Sequence, residues 1–228
     1  KRYREEYGQL VICADGMNTW RKEFFPEYKA SRKKNRDSSG QDWSEIFRIL
    51  HTVRDEINEY MPYKVVHLEG VEADDVIGTL TMQTQEFGQA EPVMIISSDK
   101  DFIQLQKYNN VKQFSPIQKK FVKDKNPRTY LFNHVMRGDS GDGIPNILSA
   151  DDTFISEKSQ TPLRQTKIDN WLENADNLRE HMDDEIYRNY QRNKKLIDLT
   201  DIPENIQESI INTFNGQTKT PNMRVLNY

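Results

Sequence analysis

One short apolar run limits the possible folds of this chain more than any other stretch. The run, Val93–Ile96, carries no charge and is followed by two serines, Asp99, Lys100 and Asp101. A continuous apolar run of this length is typical of a strand buried on both faces of a parallel sheet. Ligands of open α/β sheets bind beyond the carboxyl ends of the strands. The pattern therefore predicts an α/β fold, a parallel sheet flanked by helices, with a functional site at the two aspartates.

Acidic residues also follow the predicted strands at 9–14 and 64–68, and they recur in a later turn. In chain order the acids at these positions are Asp15, Glu72, Asp74, Asp75, Asp99, Asp101, Asp139 and Asp142. Gathered at one edge of a sheet, these carboxylates would repel one another unless a cation lay between them. Mg²⁺ and Mn²⁺ prefer carboxylate oxygens, so the pattern predicts a metal site. Taken singly, Asp15 also fits a turn or a helix cap, and acids at a helix start complement the helix dipole.

A strongly basic stretch lies at residues 21–36, although the whole chain has a net charge of −4. It holds seven basic residues against two acids, with three aromatic residues between them. Basic groups neutralise phosphates and aromatic rings stack on bases, so the mixture suits single-stranded nucleic acid. A solvated basic loop is the alternative. The residues of this stretch predicted to contact nucleic acid are Arg21, Lys22, Tyr28, Lys33, Lys34 and Arg36.

Helical periodicity accounts for most of the remaining chain. Asp42 and Glu45 form a capping-box pattern, and the apolar residues behind them predict a helix over 42–60 whose apolar stripe lies in the core. A second helix is predicted from Glu72 to about Phe87, and residues 110–123 predict a small hairpin. Further helices are predicted at 102–107, 128–137, 161–174, 176–197 and 203–215.

The turn at 138–146, GDSGDGIPN, contains three glycines and a proline within nine residues. Backbone N–H groups exposed in such a turn can hold a phosphate, and its carbonyl groups can hold a monovalent cation. Gly138, Gly141 and Gly143 are therefore predicted to contact nucleic acid. The single cysteine permits no internal disulfide and suits a reducing cytosol. No apolar run approaches the length of a membrane span, so we expect a cytoplasmic chain without membrane contact.

Taken together, the motifs Asp15, Tyr28-Lys29-x-x-Arg32, Glu72-Ala-Asp-Asp75, Ser98-Asp-x-Asp101 and Gly138-Asp-x-x-Asp142 stand in an informative order. This order resembles the 5′-nuclease family: flap endonucleases, the 5′-nuclease domain of bacterial DNA polymerase I, and phage enzymes named RNase H. The segments MPYKVV, IISSDKDFIQL and NNVKQFSP are most similar to the phage RNase H branch. The resemblance covers nearly the whole chain. It implies a PIN-like or resolvase-like nuclease core, a basic helical arch at about 21–42, and a helical lobe whose helix–turn–helix element grips duplex DNA.

The resemblance also implies an activity, namely hydrolysis of 5′ DNA flaps and of RNA primers on DNA during replication. The acids named above match the family's metal cluster, which would hold Mg²⁺ or Mn²⁺ as two ions that activate water. Lys29 and Arg32 match basic residues that face the scissile phosphate and act in catalysis. Residues 138–145 match the duplex-gripping turn, where a monovalent cation is also expected. His51, His67, His134 and His181 show no metal-type partner in the sequence, so none is assigned to the site.

Two departures from the family pattern affect the expected organisation. The family places a first aspartate on an earlier strand, and no such strand precedes Lys1. A strand with its crossover helix needs about 30 residues, so we expect this chain to be part of a longer protein in which another strand lies between 9–14 and 92–96. The expected parts are a nuclease core with its arch at 1–127 and a helical lobe at 128–228, cut short at Tyr228. After residue 145 the chain reads NILSADDTF, where the family often has a glycine-rich segment.

The implied partners are branched or 5′-ended DNA and RNA–DNA duplexes, together with a single-strand-binding protein or the sliding clamp. The resemblance further implies a monomer in the cytoplasm of an infected bacterial host. Two other classes share part of the pattern. A PIN-like ribonuclease has strand-end acids but lacks the turn that carries Asp139 and Asp142. A catalytically inactive nucleic-acid-binding relative would be expected to lose acids, whereas this chain keeps all but the family's first one.

Overall fold

The computed structural model describes residues 3–86 and 89–218 as helices packed around two small sheets. Within these ranges the strands are β1 Val11–Ala14, β2 Lys64–His67, β3 Val93–Ile96, β4 Val111–Ser115 and β5 Lys120–Val122. The α-helices are α1 Arg4–Tyr7, α2 Trp20–Phe24, α3 Ser31–Ser38, α4 Trp43–Tyr60, α5 Ala73–Gln83, α6 Pro127–Arg137, α7 Gln165–Glu173, α8 Leu178–His181, α9 Asp184–Ile197 and α10 Glu204–Gly216. Short 3₁₀ helices cover Lys100–Lys107, Ala175–Asn177 and Leu199–Asp201.

The predicted strands form, but they do not pair as one sheet in the described residues. β1 and β2 run parallel, with Ile12 opposite Val65. β3 pairs in parallel with β4, and β5 lies antiparallel on the other side of β4. The predicted hairpin is thus confirmed as β4 and β5, and β4 buries alternate residues as an inner strand does. β1 and β3 are not paired with each other in this part of the chain, and the expected strand between them stays a prediction.

Helix α4 forms as its capping box predicts, but its apolar stripe is not in the core. Asp42 Oδ1 accepts a hydrogen bond from the Glu45 N–H at 3.1 Å, and the helix runs to Tyr60. No residue whose burial the structure describes in α4 is buried, and Leu50 is 55% exposed. The expectation of a core stripe was therefore wrong for the described chain. Periodicity shows which residues share a helix face, whereas burial depends on the neighbours, and α4 packs mainly on the narrow strand β2.

The core fills the spaces between the sheets and the later helices. Val66 of β2 and Val76 of α5 pack with Ile210 of α10. Ile95 of β3 packs with Phe102 of the first 3₁₀ helix, next to the segment that follows α9. Burying each such side chain contributes about 1.5–3 kcal/mol. This packing fixes the carboxyl ends of β1 and β3 beside the amino end of α5.

The chain after α6, where a helix–turn–helix element is predicted, contains a long irregular segment. Turns and irregular chain occupy most of the segment from 138 to 164, and the next helix begins only at Gln165. Asn146 stabilises this irregular segment, because its side-chain oxygen accepts the Leu148 N–H at 2.9 Å and its amide donates to the Thr161 carbonyl at 2.9 Å. The helix–turn–helix element and the arch stay predictions.

Some expectations fall outside the described residues, namely the helix end at Phe87 and the chain end at 221–228. In the parts of the chain that are described, no helix has both the length and the apolar character to cross a membrane.

Candidate active site

The ends of β1, β3 and α6 surround one polar cavity of about 370 Å³, which we call the acidic cleft. Its lining consists of Asp15, Lys29, Arg32, Ala73, Asp74, Asp99, Asp101, Asp139, Gly141 and Asp142. The structure therefore brings together six of the eight acids predicted as metal ligands and both basic residues predicted to act in catalysis. The acids come from the predicted strand ends, the start of α5 and the predicted turn.

Local hydrogen bonds set the positions of the acids at the strand ends. Asp15 follows β1, and its Oδ1 accepts the N–H of Ala73, the first residue of α5, at 2.8 Å. Asp99 follows β3, and its Oδ1 accepts the Asp101 N–H at 3.0 Å, which begins the 3₁₀ helix. The capping role considered for Asp15 is thus real. It is compatible with a ligand role, since a carboxylate has two oxygens that accept several bonds.

Glu72 and Asp75 do not line the acidic cleft, because buried basic and aromatic groups occupy their carboxylates. Arg21 lies 2.8 Å from Glu72 Oε2 and 2.7 Å from Asp75 Oδ1, and the Asp75 side chain is fully buried. Trp20 Nε1 donates to Asp75 at 3.0 Å. Burial favours a raised pKa for Glu72, but Lys29 and Arg21 outweigh it and hold the pKa below its usual value. Both carboxylates instead pair with Arg21, and Glu72 also pairs with Lys29.

The same contacts remove two residues from the predicted nucleic-acid surface. Arg21 and Tyr28 are each only 3% exposed, and the Tyr28 hydroxyl donates to Asp142 Oδ2 at 3.0 Å. Neither side chain has surface to offer a nucleic acid. Lys22, Lys33 and Lys34 are exposed as expected, and the Arg36 guanidinium lies 5.8 Å from the centre of the Phe47 ring.

Lys29 and Arg32 meet Asp142 at the rim of the acidic cleft. Lys29 Nζ lies 2.6 Å from Glu72 Oε1 and 3.4 Å from Asp142 Oδ2, and Arg32 forms an ion pair with Asp142 Oδ1. Lys29 has a positive φ of 54°, and its N–H donates to the Asp142 carbonyl at 2.7 Å. Burial favours a lower pKa for Lys29, but Asp142 and Glu72 raise it above the usual value. The ammonium therefore stays charged beside the acids.

The turn at 138–145 uses its own backbone donors. The N–H groups of Gly138, Gly141 and Gly143 donate to His134 O, Asp139 Oδ1 and Ser140 O. Gly138 has a φ of 67°, and a Cβ there would lie 2.3 Å from the Ile144 oxygen, so only glycine fits. These three N–H groups are therefore already used within the protein in this structure and are not free to bind the predicted phosphate. The monovalent cation stays a prediction.

Mutual repulsion and burial raise the pKa of two acids in the acidic cleft. Burial, followed by the charge of Asp99, raises the pKa of Asp74 to about 7. Burial raises the pKa of Asp101 to about 6, where Asp99 adds repulsion and His134 opposes it. Neighbouring carboxylates resist ionisation because their negative charges repel one another. A cation bound between them would balance these charges.

His134 is the residue of the acidic site that sequence reasoning missed. It lies in the last turn of α6, with Nδ1 3.4 Å from Asp101 Oδ1 and Nε2 3.4 Å from Asp139 Oδ2. Asp101, His134 and Asp139 form a group with metal-ligand spacing. The sequence shows no metal-type partner for His134, whereas the structure places Asp101 and Asp139 beside it. The sequence signal for His134 was its place in the last turn of α6. That place becomes informative only when Gly138 is known to end the helix, because the chain then brings Asp139 next to the imidazole.

Two families of known proteins match this chain. A family described as "5′-3′ exonuclease, N-terminal resolvase-like domain" matches residues 1–131. The chain belongs to this family. A second family, "T4 RNase H, C terminal", matches residues 126–228. Family membership confirms the resemblance seen in the sequence and identifies an enzyme of the nuclease class.

Individual relatives agree with the family match. The chain is 35% identical to the ribonuclease H of Enterobacteria phage T4 over 97% of its own length and 74% of that protein. It is 31% identical to the flap endonuclease Xni of a Shewanella strain, over 69% of this chain and 57% of that one. A crystal structure of the flap endonuclease of bacteriophage T5, with DNA and metal ions, superposes with a TM-score of 0.63 at 18% identity, covering 94% of this chain and 88% of that one. The last comparison shows that the fold is shared.

Proposed function

We propose that this chain is a divalent-metal-dependent 5′-nuclease that cuts phosphodiester bonds at 5′ DNA flaps, at 5′ ends of duplexes and in RNA primers paired with DNA. One observation carries the proposal: six acids surround a single cleft, and Lys29 and Arg32 lie at its rim. The names of the relatives, ribonuclease H and flap endonuclease, support this class of substrate. The T5 structure, which contains DNA and metal ions, supports a branched DNA substrate.

The residues present fit hard divalent cations such as Mg²⁺. The donor set is mainly carboxylate oxygen, and burial, together with the charge of neighbouring carboxylates, raises the pKa of Asp74 and of Asp101. Asp15, Asp74 and Asp99 would hold one ion, and Asp101, Asp139 and Asp142 would hold or attract the second. When bound, such ions lower the pKa of coordinated water and offset charge on the phosphate.

The chain's own cations complete the proposed mechanism. Lys29 and Arg32 would offset the charge that develops on the phosphate in the transition state, and preorganised donors of this kind are the most effective ones. Asp142 fixes both of them, through its carboxylate and through its carbonyl bond to the Lys29 N–H. The buried ion pairs of Arg21 help to fix Lys29, because Arg21 and Lys29 both pair with the carboxylate of Glu72.

The exposed basic residues of α3 suggest where a single strand would pass. Lys33 and Lys34 lie on α3, on the same short helix as Arg32, and could neutralise successive phosphates of a strand that leads to the acidic cleft. The arch at 21–42 is proposed on this ground. The duplex-gripping element at 138–145 and the contacts with a single-strand-binding protein or a sliding clamp are proposed on the family resemblance alone.

A cleavage assay tests the proposed function. The substrates are a 5′-labelled DNA flap, an RNA–DNA hybrid and a single-stranded RNA, each with Mg²⁺ or with EDTA. We expect cleavage of the first two with Mg²⁺, and its loss in Asp99→Asn, which removes a charged ligand from the middle of the cluster. Asp176→Asn, an exposed change outside the cleft, is the control. Wild-type cleavage by Asp99→Asn would rule out this site, and cleavage of the single-stranded RNA alone would favour a PIN-like ribonuclease.

A further inference from the structure

His134 brings a nitrogen donor next to Asp101 and Asp139, two of the carboxylates that line the acidic cleft. Its Nδ1 is buried from solvent and makes no hydrogen bond among the described residues, although Asp101 Oδ1 lies 3.4 Å away. Leaving a buried polar atom without a partner costs about 1–3 kcal/mol. The Tyr130 ring packs edge-on against the imidazole, with ring centres 6.0 Å apart. Such an atom points to a ligand from outside the chain.

The two ring nitrogens have different surroundings, which assigns a role to each. A histidine that binds a metal usually donates its other ring N–H to a carboxylate. Nε2 faces Asp139 Oδ2 at 3.4 Å, so Asp139 is placed to orient the ring in this way. Nδ1 is then the nitrogen that can bind a metal ion, and it lies beside Asp101 Oδ1. Two ligands with bonds of about 2.0–2.1 Å and a tetrahedral angle lie about 3.3–3.4 Å apart, which matches the 3.4 Å between Nδ1 and Oδ1.

We propose that His134 Nδ1 and Asp101 ligate one ion of the acidic cleft, and that this position favours Zn²⁺ or Co²⁺ over Mg²⁺. The inference rests on the proposed function, because it assumes that divalent ions bind in the cleft. Imidazole suits borderline transition-metal ions, whereas Mg²⁺ prefers oxygen ligands. The position formed by Asp15, Asp74 and Asp99 has only carboxylates and keeps the Mg²⁺ preference. The two positions of the cleft thus differ in the ions that they select.

Nuclear magnetic resonance of the imidazole nitrogens tests this directly on the whole 228-residue chain. The chain has four histidines, so the ¹⁵N signals of His51, His67 and His181 serve as internal references. ZnCl₂ is added to the ¹⁵N-labelled protein with and without excess MgCl₂, and calorimetry counts the bound ions. We expect Zn²⁺ to move the Nδ1 resonance of His134 to the position of a metal-bound nitrogen, and MgCl₂ alone to leave its coordination unchanged.

A pair of variants tests the selectivity. His134→Gln should lower the ratio of Zn²⁺ affinity to Mg²⁺ affinity by about tenfold or more, since even indirect partners of a metal site change affinity by about 10–100-fold. His181→Gln, a change at an exposed position, should leave the ratio unchanged. The wild-type spectra decide the question even if His134→Gln fails to fold.

The possible outcomes separate this inference from the proposed function. If divalent ions bind while the His134 resonances stay in place, the nitrogen ligand is refuted and the metal-dependent nuclease stands. If Zn²⁺ moves the His134 signal but the affinity ratio is unchanged in His134→Gln, the selectivity is refuted. If no divalent ion binds at all, both the inference and the proposed function fail.

Discussion

Asp74→Asn should stabilise the metal-free protein at neutral pH. The pKa of Asp74 is about 7 in the folded chain, against a usual value of 3.8. Since the folded chain holds this proton more tightly than the unfolded chain, the folded state binds more protons between about pH 4 and pH 7. The free energy of unfolding therefore falls as the pH rises through that window. The difference of about 3 pKa units, at about 1.4 kcal/mol each, amounts to about 4 kcal/mol.

Asn cannot ionise, so the variant does not lose this free energy of unfolding as the pH rises. The effect of the substitution therefore depends on pH. At pH 8 in EDTA, Asp74→Asn should raise the free energy of unfolding by up to about 4 kcal/mol, and at pH 4 it should change little. Urea unfolding followed by the fluorescence of the three tryptophans measures both values. Saturating Mg²⁺ should reverse the order at pH 8, because the wild-type protein regains the lost stability through binding.

Asp176→Asn is the control for this measurement, since it removes the same charge from an exposed position outside the cleft. An equal gain at pH 4 and pH 8 would refute the reasoning, because it would show an effect unrelated to ionisation. No gain at pH 8 would show that burial and the charge of Asp99 do not hinder the ionisation of Asp74.

Four further substitutions test the surroundings of the cleft. Arg21→Met leaves the buried Asp75 carboxylate without a counter-ion and leaves Glu72 with Lys29 alone, so it should lower the free energy of unfolding in urea by about 3–5 kcal/mol; an equal loss in the exposed variant Lys22→Met would exclude this cause. Lys29→Ala should lower kcat by about 10²–10³ in single-turnover cleavage with little change in substrate Kd, as expected for a group that acts on the transition state; weaker binding alone would contradict that role. Lys33→Ala and Lys34→Ala should each reduce the slope of log K against log salt by about 0.7–0.9 in fluorescence anisotropy; an unchanged slope would mean that α3 is only a solvated helix.

The site was predictable from sequence where local pattern determines position. Asp15 and Asp99 follow short apolar runs, and the chain direction in a parallel sheet is enough to bring such strand ends to one edge. The capping box at Asp42 likewise placed the start of α4. The contacts of Asp99 with Asp101 and of Asp42 with Glu45 join residues two or three positions apart, so the local pattern is enough to predict them. The hydrogen bond from Ala73 to Asp15 spans 58 residues and is not contained in such a pattern.

Burial and pairing were not predictable, because they depend on residues far apart in the chain. The sequence could not show that Arg21 faces Glu72 and Asp75, which lie 51 and 54 residues later, so a buried cation was taken for a surface one. The stripe of α4 was assigned to the core for the same reason. The proposed role of His134 depends on how close the end of α6 lies to Asp101. That distance cannot be deduced from the spacing of the two residues in the sequence.

The hydrogen bond between the Lys29 N–H and the Asp142 carbonyl has a consequence for exchanging segments between related proteins. Lys29 lies in the segment that matches one family and Asp142 in the segment that matches the other. Each segment therefore supplies one side of this contact at the acidic cleft, and the contact forms only when both segments are present. A hybrid that joins the first segment of this chain to the second segment of a relative keeps Lys29 but replaces Asp142. We expect such a hybrid to keep the position of Lys29 only where the incoming turn still accepts its backbone N–H.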